Sequence, residues 1–128
     1  MSLQESGFPA SAAFDQIAQA LSSDSERQDA IKKGGVVFAF TLKNEAGETK
    51  DWHIDLKETG KVGKGLAPEG KKAGVTLILT DDNFGKLVSG KANAQKLFMS
   101  GKLKVKGDVM KATKMEPILK KAQSKAKL

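Results

Sequence analysis

Two stretches on either side of Asn44-Glu45-Ala46-Gly47 constrain this chain most. Upstream, Val36, Phe38, Phe40 and Leu42 recur at every second position, and Val37 and Ala39 make the opposite face partly apolar as well. Downstream, Trp52, Ile54 and Leu56 alternate with Asp51, His53, Asp55 and Lys57. Side chains of a strand alternate between the two faces of its sheet, so each stretch reads as a strand with one apolar face. The polar, glycine-containing segment between them predicts a hairpin. Its apolar face has to be buried, and a layer of helices would do that.

The chain offers such helices. Ala10, Phe14, Ile17, Ala18 and Leu21 recur at helical spacing, with Pro9 suited to a first turn. Ser22-Ser23-Asp24 supplies an N-cap for a second helix. Its acids lie early and Lys32 and Lys33 late, which suits the helix dipole, and Gly34-Gly35 ends it. A weak, edge-like strand is expected around Val62, a loop from Pro68 to Gly74, and a strand from Val75 to Thr80. Thr80 or Asp81 then caps a helix carrying Phe84, Leu87 and Val88, closed by Gly90. A short helix with Ala94, Leu97 and Phe98 closes at Gly101, and Lys102-Leu103-Lys104-Val105-Lys106 alternates as a strand. A last helix carries Val109, Ala112, Met115 and Leu119, with Met110 and Ile118 beside them; Pro117 should kink or split it at Glu116. Most connections are too short for crossover units. The expected class is therefore α+β: a mainly antiparallel sheet with helices packed on one side. The 128 residues are one domain's worth, with a mobile tail at about 123–128.

Composition removes several kinds of chemistry. With no cysteine there are no disulfides, thiolate nucleophiles or Cys-ligated metals, and with one histidine no His-rich metal site. No metal and no cofactor are expected. The longest fully apolar run, Val36 to Phe40, is too short to span a bilayer. The start of the chain has neither a basic segment nor a long apolar one, so no signal peptide is expected.

Net charge is +7, unevenly spread. Residues 86–128 hold twelve lysines against Asp108 and Glu116, while acids outnumber bases upstream. Such a field attracts anions: nucleic acid, anionic membranes or phosphorylated cofactors. Yet Arg27 is the one arginine, and Lys102, Lys104 and Lys106 have no aromatic interleaved for base stacking. A small nucleic-acid-binding module is thus an alternative rather than the preferred reading. Gly85 to Ala92 fits the first seven positions of a phosphate-binding loop but lacks the final hydroxyl and reads as helix; Gly65 to Lys72 fails likewise. Gly60-Lys61-Val62-Gly63 has the spacing of a KH-domain loop but lies between strands rather than helices. His53, flanked by Asp51 and Asp55, is expected at the surface in a charged cross-strand ladder. No serine is placed to make it part of a catalytic relay, and no enzyme activity is expected.

Residues 74–115 are more specific. Val75 through Phe84 forms a strand ending in Thr80-Asp81-Asp82-Asn83-Phe84; Leu87-Val88-Ser89-Gly90-Lys91 and Phe98-Met99-Ser100-Gly101-Lys102-Leu103-Lys104-Val105-Lys106-Gly107 follow. In order and spacing this resembles the sterol carrier protein 2 domain, as does the upstream hairpin with Trp52 in its second strand; the resemblance covers about residues 10–120. It implies a five-stranded sheet covered by about five helices and enclosing an apolar tunnel. It also implies non-enzymatic binding of fatty acid, fatty acyl-CoA or sterol. The lining it implies is Ile17, Leu21, Phe40, Ile54, Leu87, Phe98, Leu103, Val105, Met110 and Met115. Ala126-Lys127-Leu128 resembles the Ser-Lys-Leu peroxisomal signal, which implies an import receptor as partner and the peroxisome as location. Transient contact with anionic membranes is a further expected partnership. Such domains are often fused to a thiolase or a multifunctional β-oxidation enzyme. An accessory domain of a β-oxidation enzyme is therefore a second alternative, although no such partner sequence is present here.

Overall fold

The computed structural model describes residues 7–65, 72–89, 91–107 and 110–111. Gly90, residues 66–71 with the start of the expected Pro68–Gly74 loop, the expected last helix apart from residues 110–111, with Met115 and Pro117, and the tail with Ala126-Lys127-Leu128 lie outside the described residues.

The described elements run in this order: a 3-10 turn at Pro9–Ser11, α1 (Ala12–Ala20), α2 (Asp24–Gly34), β1 (Val37–Lys43), β2 (Thr49–Asp55), β3 (Val62–Lys64), β4 (Val75–Thr80), α3 (Asp81–Val88), α4 (Ala94–Met99) and β5 (Leu103–Gly107). The local signals act as their chemistry requires. Pro9 opens the 3-10 turn at its first position. Thr80 Oγ1 accepts the Asn83 N–H at 3.1 Å, so Thr80 is the cap of α3. Asn93 Oδ1 accepts from the N–H groups of Gln95 and Lys96 at 2.8 and 3.2 Å and starts α4. Gly35, at φ +73°, ends α2 with its N–H on Ile31 O.

The sheet order is β3-β2-β1-β4-β5. Three of its pairings are antiparallel, as expected, but the central pair β1–β4 is parallel, with Phe38 opposite Val75 and Leu42 opposite Leu79. Connection length hides this pairing, because it joins β1 not to its successor but to a strand returning on the other side. The β1–β2 hairpin closes as the turn residues require: Gly47, at φ +84°, donates to Asn44 O, and the Asn44 side chain accepts the Glu48 N–H at 2.9 Å.

One sheet face carries Phe38, Phe40, Leu42, Trp52, Ile54, Val75, Leu77, Leu79 and Leu103, all buried under helix residues Phe14, Ile17, Phe84, Leu87, Val88 and Leu97. On the opposite face Lys104 and Lys106 are exposed, and Thr41 donates to Asp51 at 2.6 Å.

Candidate functional site

The surface histidine expected at position 53 is instead buried, 8% exposed. Its cross-strand neighbours are Ala39 and Gly63, both small, so the ring lies down over the sheet. A Cβ on Gly63 would come within 2.8 Å of its Cε1. Its Nδ1 sits 3.1 Å from Gly65 O. Asp55 is fully buried and accepts from the N–H groups of Lys57 and Glu58 and from Thr59 Oγ1, at 2.9–3.1 Å. It thus caps the turn after β2. Asp51 takes the Thr41 hydroxyl. Each of these polar groups serves local structure.

The chemistry of the interior is apolar. Phe14 of α1 is stacked between Trp52 (centroids 5.0 Å) and Phe84 (4.9 Å), with Phe40 edge-on to both phenylalanines and Phe8 edge-on to Trp52. Offset and edge-on rings gain a quadrupolar attraction beyond their burial, so parting them costs more than burial alone would. The other half, over β4 and β5, is aliphatic: Val75, Leu77, Leu79, Leu87, Val88, Leu97 and Leu103, with Val105 half-buried beside them. Aliphatic side chains without directional contacts can move apart for an apolar guest at lower cost than stacked rings.

Of the residues named as lining, Ile17, Leu21, Phe40, Ile54, Leu87 and Leu103 share this one buried cluster, and Val105 packs against it. Phe98 and Met110 stand outside it, 45% and 76% exposed. Met115 lies outside the described residues. Phe8, Trp52, Leu77 and Leu97 belong to the same cluster but were not among the lining residues. Strand alternation marks Trp52 and Leu77, and helical spacing marks Leu97; Phe8 has no periodic signal.

Asp81 was expected only to cap α3. It does more: although nearly buried, it accepts the Ala10 N–H on both oxygens, at 3.1 and 3.2 Å. Burial, with Asp82 beside it, holds its carboxyl above the usual carboxylate range, while the bond from Ala10 works the other way. Next to it lies a hollow of about 1000 Å³ between Gly7, Pro9, Ala10, the hairpin tip Lys43–Ala46 and Thr80, Asp82 and Gly85. Its lining mixes Lys43, Glu45, Glu48, Asp81 and Asp82 with the apolar surface of Pro9, Ala10 and Ala46. Among the described residues no group of three or more His, Asp or Glu side chains is placed to hold a metal ion, and no helix is long and apolar enough to cross a membrane.

This architecture has close counterparts. The model of the SCP-2 sterol transfer family matches residues 14–120. A fatty acid-binding protein of Yarrowia lipolytica is 50% identical over 127 residues, covering 97% of this chain and 98% of that one. The oleate-induced peroxisomal protein POX18 of Candida maltosa is 45% identical, over the full length of both chains. Among solved structures, sterol carrier protein 2 from Yarrowia lipolytica in its apo form superposes with a TM-score of 0.90 at 51% identity, covering 96% of this chain and 98% of that one. A five-stranded sheet with its helices on an apolar face, and matches running nearly end to end, place the chain in the SCP-2 sterol transfer family.

Proposed function

We propose that this protein is a non-enzymatic carrier that holds fatty acid, fatty acyl-CoA or sterol between its helix layer and its sheet, and that it works in the peroxisome. The observation that carries this reading is the apolar inner face, aliphatic over β4 and β5, whose buried cluster includes Leu87 and Leu103 with Val105 packed against it. Burying a palmitate-length chain there gains about 0.8 kcal/mol per methylene, roughly 10 kcal/mol in all, and a micromolar dissociation constant needs about 8 kcal/mol. Ordering and desolvation consume the difference, so no precise polar anchor is required and broad ligand choice follows. The proposed lining is Ile17, Leu21, Phe40, Ile54, Leu87, Leu103 and Val105, together with Phe98, Met110 and Met115. The names of the two relatives, one a fatty acid-binding protein and one an oleate-induced peroxisomal protein, support the ligand class and the location. Ala126-Lys127-Leu128 supports the same location and an import receptor as partner.

Native mass spectrometry with organic extraction tests the carrier reading. Adducts of fatty-acid mass that exchange with added palmitate are expected. A clean apo mass, unshifted by palmitate, palmitoyl-CoA or sterol, would overturn it. A fluorescent fusion tests the location: peroxisomal foci are expected, lost on deletion of Ala126-Lys127-Leu128, and a diffuse signal from the intact chain would refute it.

A further inference from the structure

The large apolar side chains exposed among the described residues are Phe98, Met99 and Met110. Two of them are adjacent, at the end of α4, and the local backbone fixes their direction. Gly101, at φ +80°, donates to Phe98 O at 3.2 Å, and Lys102 donates to Leu97 O at 2.8 Å. This paired closure of a helix end reverses the chain so that Leu97 and Leu103 both turn inward. Phe98, Met99 and Lys102 are left outward, Met99 at 77% exposed.

The charge around this tip has one sign. From Asn83 to Gly107 the sequence holds six lysines and no acidic residue. Lys86 is tied to Asp82 at 3.3 Å, but Lys91, Lys96, Lys102, Lys104 and Lys106 stand exposed. An exposed apolar pair flanked along the chain by exposed Lys96 and Lys102 matches a surface that is anionic outside and apolar a few ångströms beneath, which is the headgroup layer of an anionic bilayer. A nucleic acid would use the lysines but has no place for Met99, and the region lacks arginine.

We propose that the α4–β5 corner is a membrane-docking surface, with Phe98 and Met99 inserted among the headgroups and Lys96 and Lys102 on the lipid phosphates and carboxylates. This deepens the carrier reading by naming the face through which the protein meets its lipid source.

The test is co-sedimentation of the full chain with vesicles of phosphatidylcholine alone and of equimolar phosphatidylcholine and phosphatidylserine. Binding to the mixed vesicles only, weakened by salt, is expected. Met99→Glu and the double variant Lys96→Glu/Lys102→Glu should each weaken it by about tenfold or more. Lys32→Glu/Lys57→Glu, which changes net charge equally at exposed sites elsewhere, should weaken it by much less. Equal losses in both double variants would overturn the proposal in favour of bulk charge. Tighter retention on single-stranded RNA, abolished by the same corner variants, would overturn it in favour of a nucleic-acid surface. Fatty-acid binding without vesicles separates the two readings. A chain that takes palmitate but ignores mixed vesicles refutes the docking surface alone. One that docks through Met99 but takes no lipid refutes the carrier alone.

Discussion

Asp81 and Ala10 are joined across 71 residues of sequence by a carboxylate that accepts one backbone N–H on both its oxygens. The bond ties the 3-10 turn that leads into α1 to the first turn of α3, and α1 and α3 carry the stacked pair Phe14 and Phe84.

This contact predicts an acid-side signature. Burial holds the Asp81 carboxyl above its ordinary range. Its folded form therefore binds a proton more tightly than the unfolded chain does, so the stability that this proton confers is full at low pH and is lost as pH rises through the raised value. Asp81→Asn keeps a carbonyl oxygen for Ala10 and removes the titration. Denaturant unfolding as a function of pH should show the difference between wild type and variant growing from acid toward neutral pH, in favour of the variant. A difference that does not vary with pH would refute it. Asp81→Ala strands the Ala10 N–H and should cost about 1–3 kcal/mol.

Phe14 lies between Trp52 and Phe84, all three fully buried. Phe14→Ala should cost about 3–5 kcal/mol by chemical denaturation, since it leaves a cavity among rings that cannot close over it. Trp52 is the one tryptophan, so its emission reports the same change directly.

His53 and Gly63 are coupled by contact. Gly63→Ala puts a methyl within 2.8 Å of the His53 ring and should cost about 1–3 kcal/mol. In a His53→Ala background most of that cost should vanish, giving a coupling of about 1 kcal/mol or more in a double-mutant cycle. His53→Ala alone should lower stability and leave fatty-acid binding in place. Loss of an enzymatic turnover in that variant would instead reveal a catalytic role.

Gly101 separates conformation from crowding. An added Cβ there meets nothing within 4 Å, so Gly101→Ala should cost only the left-handed backbone, about 1–2 kcal/mol. At Gly107 a Cβ would lie 2.4 Å from Gly74 O, and Gly107→Ala should cost more in the same thermal melt.

Much of this was legible in the sequence because it rests on short-range rules. Alternation gave β1, β2, β4 and β5 their faces, and Thr80 and Gly101 mark helix ends by chemistry that needs no partner elsewhere; the Asn93 cap of α4 was not read from the sequence. The parallel β1–β4 pairing was not legible, since register across a sheet is settled by which strands meet and not by any one of them. The burial of His53 was missed for a related reason: its alternation puts it on the polar face, but its neighbours Ala39 and Gly63 leave it room to lie flat. Phe98 shows the converse. Its helical spacing suggested an inward residue, yet α4 is only six residues long and turns Ala94 and Leu97 inward, leaving Phe98 half-exposed beside them.

The parallel β1–β4 pair has a consequence for the chain during its synthesis. Val37-Phe38-Ala39-Phe40-Thr41-Leu42 carries no charge, and the edge that β4 will cover stays open while β2 and β3 are being made. Such a segment is a template for pairing with any other extended chain. Until residues 75–80 leave the ribosome, the nascent protein depends on the attached ribosome or a chaperone to shield that edge, and premature termination before β4 would release a fragment primed to aggregate.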